Sequence, residues 1–385
     1  MDEGKGVSFM GGEKMNPGEK RVCPGCGAPL QSEDKNLPGY LPIHAWEKEE
    51  AVCLRCFRIK HYNEAVQVDL REEDFLQVLH SIGSTEALVV HLVDLIDVNG
   101  TLLSGLHRFI GQNPFLLVGN KLDLLPQRVN LDRIRRWLLM MAREWGLKPV
   151  DVMLISALKG SYLQELLEKL EAYRKGKNVY FIGATNVGKS TFMNRLLKEY
   201  GEKGTIEITT SRFPGTTLDL IEIPVDEHSS FYDTPGVMTP HQIIRYLSPE
   251  DLKKVIPQKR INPKVYQLEP EQTLFLGGMA RIDFISGTPQ SFIVYISNEI
   301  PVHRTKRSHA GELQEKHRGE LLSPPGKENL DRLPPWVKHS FNLKEGEKQD
   351  IAISGLGWVS FSGKKGRVDV FAPKGVSVQI RKGMI

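Results

Sequence analysis

Between Ala87 and Tyr232 the apolar positions follow two rhythms in turn. Ala87–Leu95 is nearly continuously apolar, interrupted by His91 and Asp94, which predicts a strand buried on both faces. Leu102–Ile110 reads as helical and Phe115–Gly119 as a second buried strand. Leu131–Trp145 has apolar residues at helical spacing, Val150–Ile155 is a third strand, and Tyr162–Tyr173 places Leu163, Leu166, Leu167 and Leu170 on one helical face. Val179–Ile182 predicts a fourth strand, a helix follows from Gly188, and Leu218–Ile223 and Phe231–Tyr232 are strand-like. Strands alternating with helices imply a parallel sheet covered on both faces. Past Pro240 the rhythm changes to short alternating strands separated by Gly and Pro: Thr273–Phe275, Arg281–Ile285, Phe292–Ile296, Asp350–Ile353, Trp358–Ser362, Arg367–Phe371 and Val376–Ile380. His303–Asp331 is polar and reads as an exposed loop or loose helix. The expected fold class is therefore α/β followed by a β-rich unit.

Composition adds bounds. The 385 residues are 40% hydrophobic and 25% charged, ordinary for a globular protein of two or three domains. No apolar run reaches the roughly 18 residues of a membrane helix. Met1–Lys20 is rich in Gly, Lys and Glu, lacks a signal-like apolar core and reads as a disordered tail. The net charge of +4 is uneven: Val237–Ile385 carries 23 Lys and Arg against 15 Asp and Glu, a balance of +8, leaving −4 on residues 1–236. Such a basic end is either a solvated surface or a polyanion-binding module. It interleaves charges and rings of the kind RNA recognition often combines: Arg281 with Phe284; Arg304, Lys306 and Arg307; Trp358 with Phe361; Lys364, Lys365 and Arg367. A packed β core with a basic rim has the same composition.

The four cysteines stand as two pairs, Cys23-Pro-Gly-Cys26 and Cys53-Leu-Arg-Cys56. Paired CxxC knuckles in a reducing compartment mean metal rather than disulfides, and four thiolates complete a tetrahedral zinc site without help from His44 or His61. The surrounding unit, 21–62, has too little apolar content to fold by burial alone, so a structural Zn²⁺ would supply the missing stability.

The chemistry-bearing motifs each follow a predicted strand. Residues 183–190, Gly-Ala-Thr-Asn-Val-Gly-Lys-Ser, form a P-loop between a strand and a helix. Gly183, Thr185, Asn186, Val187, Gly188 and Thr191 would surround the phosphates, Lys189 would reach the β/γ-phosphates, and the Ser190 hydroxyl would bind Mg²⁺. Asp233-Thr-Pro-Gly236 offers a carboxylate for Mg²⁺ and, at Gly236, an N–H that senses a γ-phosphate. Asn120-Lys121-Leu-Asp123 matches a guanine-reading motif. A carboxylate at Asp123 accepts from guanine N1–H and the N2 amine, and adenine would leave it unpaired, which argues against an ATP enzyme. Ser156-Ala157 would close over the base with the Ala157 N–H aimed at O6.

Base motif, Ser-Ala motif, P-loop and Asp-Thr-Pro-Gly, in that order, resemble the circularly permuted GTPases. With Arg21-Val-Cys-Pro-Gly-Cys-Gly27, Pro38-Gly39-Tyr40 and a β-rich tail, the chain looks like the YqeH-type family of bacterial GTPases linked to small-subunit ribosome assembly. The resemblance covers nearly the whole chain. It implies four units: a tail 1–20, a zinc-binding domain 21–62, a permuted GTPase domain 63–240, and a basic C-terminal domain 241–385 that contacts RNA or the ribosome. It also implies GTP hydrolysis acting as a switch in cytoplasmic assembly of the 30S subunit; a nucleotide-gated protein adaptor with incidental hydrolysis is the alternative. Pro214-Gly215-Thr216-Thr217-Leu218-Asp219 resembles switch I of the Era and MnmE class, which puts Thr217, or else Thr216, on Mg²⁺. Val237 occupies the position of a water-orienting Gln, and Asn186 matches the residue that helps hold K⁺ in potassium-dependent relatives, where the cation stabilises charge developing in the transition state. Because the order is rotated, switch II should lead from the nucleotide domain directly into the basic domain.

Overall fold

The computed structural model describes residues 21–23, 28–35, 37–46, 51–62, 69–70, 72–201, 209–212, 219–237 and 239–385. The expected tail 1–20, Cys26, and Thr216 and Thr217 of switch I lie outside them.

The nucleotide-binding half is built on a seven-stranded sheet in the order Asp151–Leu154, Phe115–Asn120, Ala87–Asp94, Asn178–Gly183, Ser230–Asp233, Asp219–Pro224, Thr209–Arg212. The first five strands are mutually parallel, and Asp219–Pro224 runs antiparallel to its neighbours on both sides. Every residue of Ala87–Asp94 and of Phe115–Asn120 is buried, because helices cover both faces of a parallel sheet. The helix Leu131–Glu144 shows how one side is closed. Asn130 caps it by accepting the Arg133 N–H, and Ile134, Trp137, Leu138, Met141 and Ala142 form its buried stripe. Each large side chain of that stripe contributes about 1.5–3 kcal/mol on burial.

The C-terminal half holds two five-stranded antiparallel sheets. The first runs Lys264–Leu268, Gln290–Ile296, Gly357–Phe361, Gln349–Ile353, Val378–Lys382; the second runs Val302–Lys306, Gln272–Leu276, Ala280–Gly287, Gly366–Pro373, Trp336–Leu343. Residues of both, among them Leu274, Ile282, Phe284, Phe292, Val359 and Val370, share one core, so the pair is a sandwich. The outer face of the first sheet is not solvent-facing. Tyr295, Ala352 and Trp358 pack into the core of the nucleotide-binding half. The Arg381 guanidinium lies 4.7 Å from the Trp137 ring and 5.6 Å from the Trp358 ring, and Trp137 Nε1 donates to the Lys382 carbonyl at 2.8 Å.

Three expectations need correction. Leu102–Ile110 is not one helix: short helices span Val98–Thr101 and Leu106–Phe109, because Asp97 caps the first early and Gly105, at φ 71°, breaks the path between them. His303–Asp331 is more ordered than its polarity suggests, with a strand, the helix Arg307–His317 and a 3-10 turn at Lys327–Arg332. Ala310 and Leu322 dock there on Phe275, so a few apolar contacts suffice. The rings expected to stack on RNA bases are core residues instead. Phe284, Trp358 and Phe361 are at most 2% exposed, and Arg281 is paired with Asp283 at 2.6 Å. Arg304, Lys306, Arg307, Lys364, Lys365 and Arg367 are exposed.

Candidate nucleotide and metal sites

The loop 184–188 connects the central strand Asn178–Gly183 to the helix Lys189–Gly201. Two glycines are sterically required. A Cβ on Gly183 would stand 2.7 Å from the Leu92 carbonyl oxygen, and one on Gly188, at φ 87°, would stand 2.5 Å from Asn120 Nδ2. Asn186 takes a left-handed conformation at φ 64°, which an Asn tolerates.

At the phosphate end, Lys189 Nζ donates to Asp233 Oδ1 at 2.7 Å and to the Thr234 carbonyl. Both charged side chains are nearly completely buried. Ser190 Oγ is buried and has no hydrogen-bond partner among the described residues. A buried hydroxyl without a partner, next in the chain to a lysine paired with a buried carboxylate, suits a hard cation such as Mg²⁺, which takes oxygen ligands. Thr191 sits on the exposed side of the same turn. The Thr185 N–H donates to the Val237 carbonyl at 2.8 Å, so the loop and the segment after Gly236 are hydrogen-bonded directly. Gly236 and Val237 also pair in parallel with Asp69 and Leu70, the chain that arrives from the cysteine unit.

At the base end, the register Asp94↔Asn120 and Gly119↔Leu154 aligns the carboxyl ends of three neighbouring strands. Asn120 then bridges two motifs: its Nδ2 donates to the Val187 carbonyl at 2.8 Å, and its Oδ1 accepts from Ala157 N–H at 2.9 Å. Ser156 Oγ donates to Asp123 Oδ1 at 2.5 Å. Lys121, at φ 67°, donates to Asp94 Oδ2 at 2.7 Å. The four motifs named from the sequence thus meet at one end of the sheet, with Asn120, Lys121, Asp123, Ser156 and Ala157 on one side and Gly183–Ser190, Asp233 and Gly236 on the other.

Asp94 and Asp97 were not singled out as functional. Asp94 ends the strand Ala87–Asp94, and Asp97 caps the short helix that follows. Asp94 orients Lys121. Asp97 is buried, and desolvation pushes its carboxyl up to about 6. Its Oδ1 accepts from Gly100 N–H at 3.1 Å and its Oδ2 from Gln242 Nε2 at 2.7 Å and Gly355 N–H at 2.8 Å. Gln242 lies just past switch II and Gly355 in the sandwich. Around it, Thr239 Oγ1 donates to the Gly100 carbonyl at 2.9 Å, and the Ile243 N–H donates to the Ser354 carbonyl at 2.9 Å. The exit from switch II is therefore fastened to both halves.

In the cysteine unit, the Sγ atoms of Cys23, Cys53 and Cys56 lie within 4.8 Å of one another, all buried. The Cys53 N–H points at Cys23 Sγ, 3.2 Å away, and Cys56 sits in the first turn of the helix Leu54–Tyr62. Convergent thiols with an amide and a helix N-terminus to stabilise thiolate suit a thiophilic ion.

Comparison with known proteins decides the family. A relative from Bacillus subtilis, "Uncharacterized protein YqeH", is 50% identical over 367 residues, covering 95% of this chain and 100% of that protein. The chain belongs to the YqeH family. A model described as "YqeH-like, C-terminal" matches residues 289–384, and one described as "50S ribosome-binding GTPase" matches residues 178–264. "NO-associated protein 1, chloroplastic/mitochondrial" of Arabidopsis thaliana is 30% identical, over 88% of this chain and 69% of that protein. GTPase Der of Aquifex aeolicus is 35% identical over a shorter stretch, 33% of this chain. This YqeH-family chain is a GTPase that binds GTP and GDP. Among the described residues no helix is long and apolar enough to cross a membrane.

Proposed function

We propose that this GTPase is a nucleotide-operated assembly factor of the small ribosomal subunit, acting in the cytoplasm through contact with ribosomal RNA or the 30S particle. The observation that carries the reading is the fastening of switch II to the C-terminal unit through Asp97, Gln242 and Gly355. A γ-phosphate that orders Gly236 would act on a segment already bonded to the sandwich, and the excess positive charge of 237–385 suits a polyanion. In this reading Lys189 neutralises the β/γ-phosphates, Ser190, Asp233 and Thr217 hold Mg²⁺, and Asp123 selects guanine. Asn186 helps hold K⁺, whose charge would take the role of an arginine finger where Val237 cannot orient water. Cys23, Cys26, Cys53 and Cys56 hold one structural Zn²⁺ in the unit 21–62, which precedes a GTPase domain 63–240 and an RNA-contacting domain 241–385.

The test is co-sedimentation of the full chain with purified 30S and 50S particles in GDP and in a non-hydrolysable GTP analogue, followed by RNA crosslinking. Retention on 30S in the GTP form, with crosslinks from 241–385, is expected. Retention on 50S alone, in keeping with the wording of the matching family model, would reject the small-subunit role. Retention without RNA crosslinks would favour the protein adaptor.

A further inference from the structure

The guanine end of the site is braced by a segment from the C-terminal half. Residues 256–262 run from the helix Pro249–Val255 to the first strand of the sandwich. Midway, the Ile261 N–H donates to the Leu124 carbonyl at 2.9 Å. Leu124 belongs to the 3-10 turn Leu122–Leu124, which carries Asp123. The Ile261 side chain is 1% exposed and is buried in the core of the nucleotide-binding half. On its other side the segment is pinned by one sandwich residue: Asn298 Oδ1 accepts from Asn262 N–H at 2.9 Å, and Asn298 Nδ2 donates to the Arg260 carbonyl at 2.8 Å. Gln258, Lys259 and Arg260 thereby wall a cleft of about 640 Å³ opposite Leu158 and Tyr162, with Asp123 on its surface.

We infer that the segment 256–262 is a strap that holds the Asp123 turn in its guanine-reading position, with Ile261 and Asn298 as positioning residues. The turn is also held by the Leu122 N–H to the Ile155 carbonyl at 3.0 Å, by Ser156 on Asp123, by Lys121 on Asp94, and by the buried Leu124 and Leu125 side chains. With no such strap, the outer carbonyl at Leu124 would lose its donor and the turn would be less tightly constrained. A ligand of the sandwich that displaced Asn298 would thus loosen the base and speed GDP release, whereas switch II responds at the phosphate end. The inference rests on the reading of Asp123 as the guanine-selecting carboxylate.

The test uses the full chain, fluorescent GDP for dissociation rates, and competition by GTP and by ITP, which lacks the N2 amine. Asn298→Ala removes two hydrogen bonds far from any phosphate. It should raise the GDP dissociation rate about fivefold to tenfold and shrink the preference for GTP over ITP, while turnover at saturating GTP stays within about twofold. A general loss of stability would lower the active fraction without changing the GTP-to-ITP ratio. Ile261→Val, a milder change, should move the same two quantities in the same direction by less. Wild-type rates and ratio in both variants would overturn the strap. Failure of the underlying reading looks different: wild-type protein would then bind GTP and ITP equally.

Discussion

The two ends of the nucleotide site are built on opposite principles. At the base end each reading group is already satisfied by the protein: Asn120 by Val187 and Ala157, Asp123 by Ser156, Lys121 by Asp94. At the P-loop end Lys189 donates to Asp233 and the Thr234 carbonyl, and Ser190 Oγ has no partner among the described residues. If the Ala157 N–H is to reach guanine O6, it must leave Asn120 Oδ1, whereas Asn120 and Asp123 are already held in place. The phosphate end must exchange partners when anion and cation arrive, so it is the end that can report which nucleotide is bound.

The largest expected effect breaks the phosphate end. Lys189→Ala should lower single-turnover GTP hydrolysis by at least about a hundredfold, the scale of losing one transition-state charge donor. It should also cost stability, because Asp233 is left buried without its counter-ion. Ser190→Ala sharpens the point: hydrolysis should fall severely while the urea midpoint stays near wild type, since that hydroxyl has no hydrogen-bond partner among the described residues. A parallel loss of stability in Ser190→Ala would mean that the hydroxyl is structural.

Asp123→Asn comes next and acts at the base end. Inverting the acceptor pattern should weaken GTP about a hundredfold or more and turn preference toward xanthosine nucleotides, by leaving buried donors unmatched. Competition binding with GTP and XTP measures it; unchanged guanine preference would remove Asp123 from the site.

The third prediction concerns the scaffold under the base end. His91 is fully buried on the strand leading to Asp94, and burial, only partly offset by a contact with the Thr101 backbone, depresses its pKa to about 4. The unfolded chain takes up that proton near 6.5 and the folded chain near 4, so stability is full above about pH 6.5 and is lost as pH falls toward 4. Between pH 7 and pH 5 the loss from this group is about 2 kcal/mol. Asp97, whose carboxyl is raised to about 6, has the opposite sign: its contribution is full below its unfolded value and is lost as pH rises through 6. Urea titrations of His91→Leu and Asp97→Asn at both pH values separate the two. The His91 variant should lose less than wild type on acidification; an identical loss would show that His91 does not carry the effect.

The smallest effect tests Asn186. Hydrolysis in K⁺ should exceed that in Na⁺ by about fivefold, a modest gain for one extra cation near the developing charge. Equal rates in the two salts would count against Asn186 as a K⁺ ligand.

Much of the nucleotide-binding half was legible in advance because its information is local. A buried parallel strand is a continuous apolar run, and each motif sits just past one. The sandwich was less legible. The strands Lys264–Leu268 and Trp336–Leu343 were missed because they alternate exposed and half-buried residues, which weakens the period-two signal. The aromatic residues were misassigned for a related reason: composition reports that Phe284, Trp358 and Phe361 lie near basic residues in sequence, but alternation along a strand turns neighbours to opposite faces.

The sequence by itself determined which chemistry-bearing groups are present: a P-loop, the tetrapeptide Asn120-Lys-Leu-Asp123, paired cysteines and a rotated order of motifs, all set by residue type at short spacing. Only the tertiary structure decided what those groups are attached to. Asn120 reaches Val187, 67 positions away, through the register of the sheet. Ile261 meets Leu124, and Asp97 meets Gln242 and Gly355, because the sandwich packs its first sheet against the nucleotide-binding half. Those contacts depend on which buried surfaces find each other. No local pattern encodes that choice, which is made by the mutual fit of two apolar faces around Trp137 and Trp358.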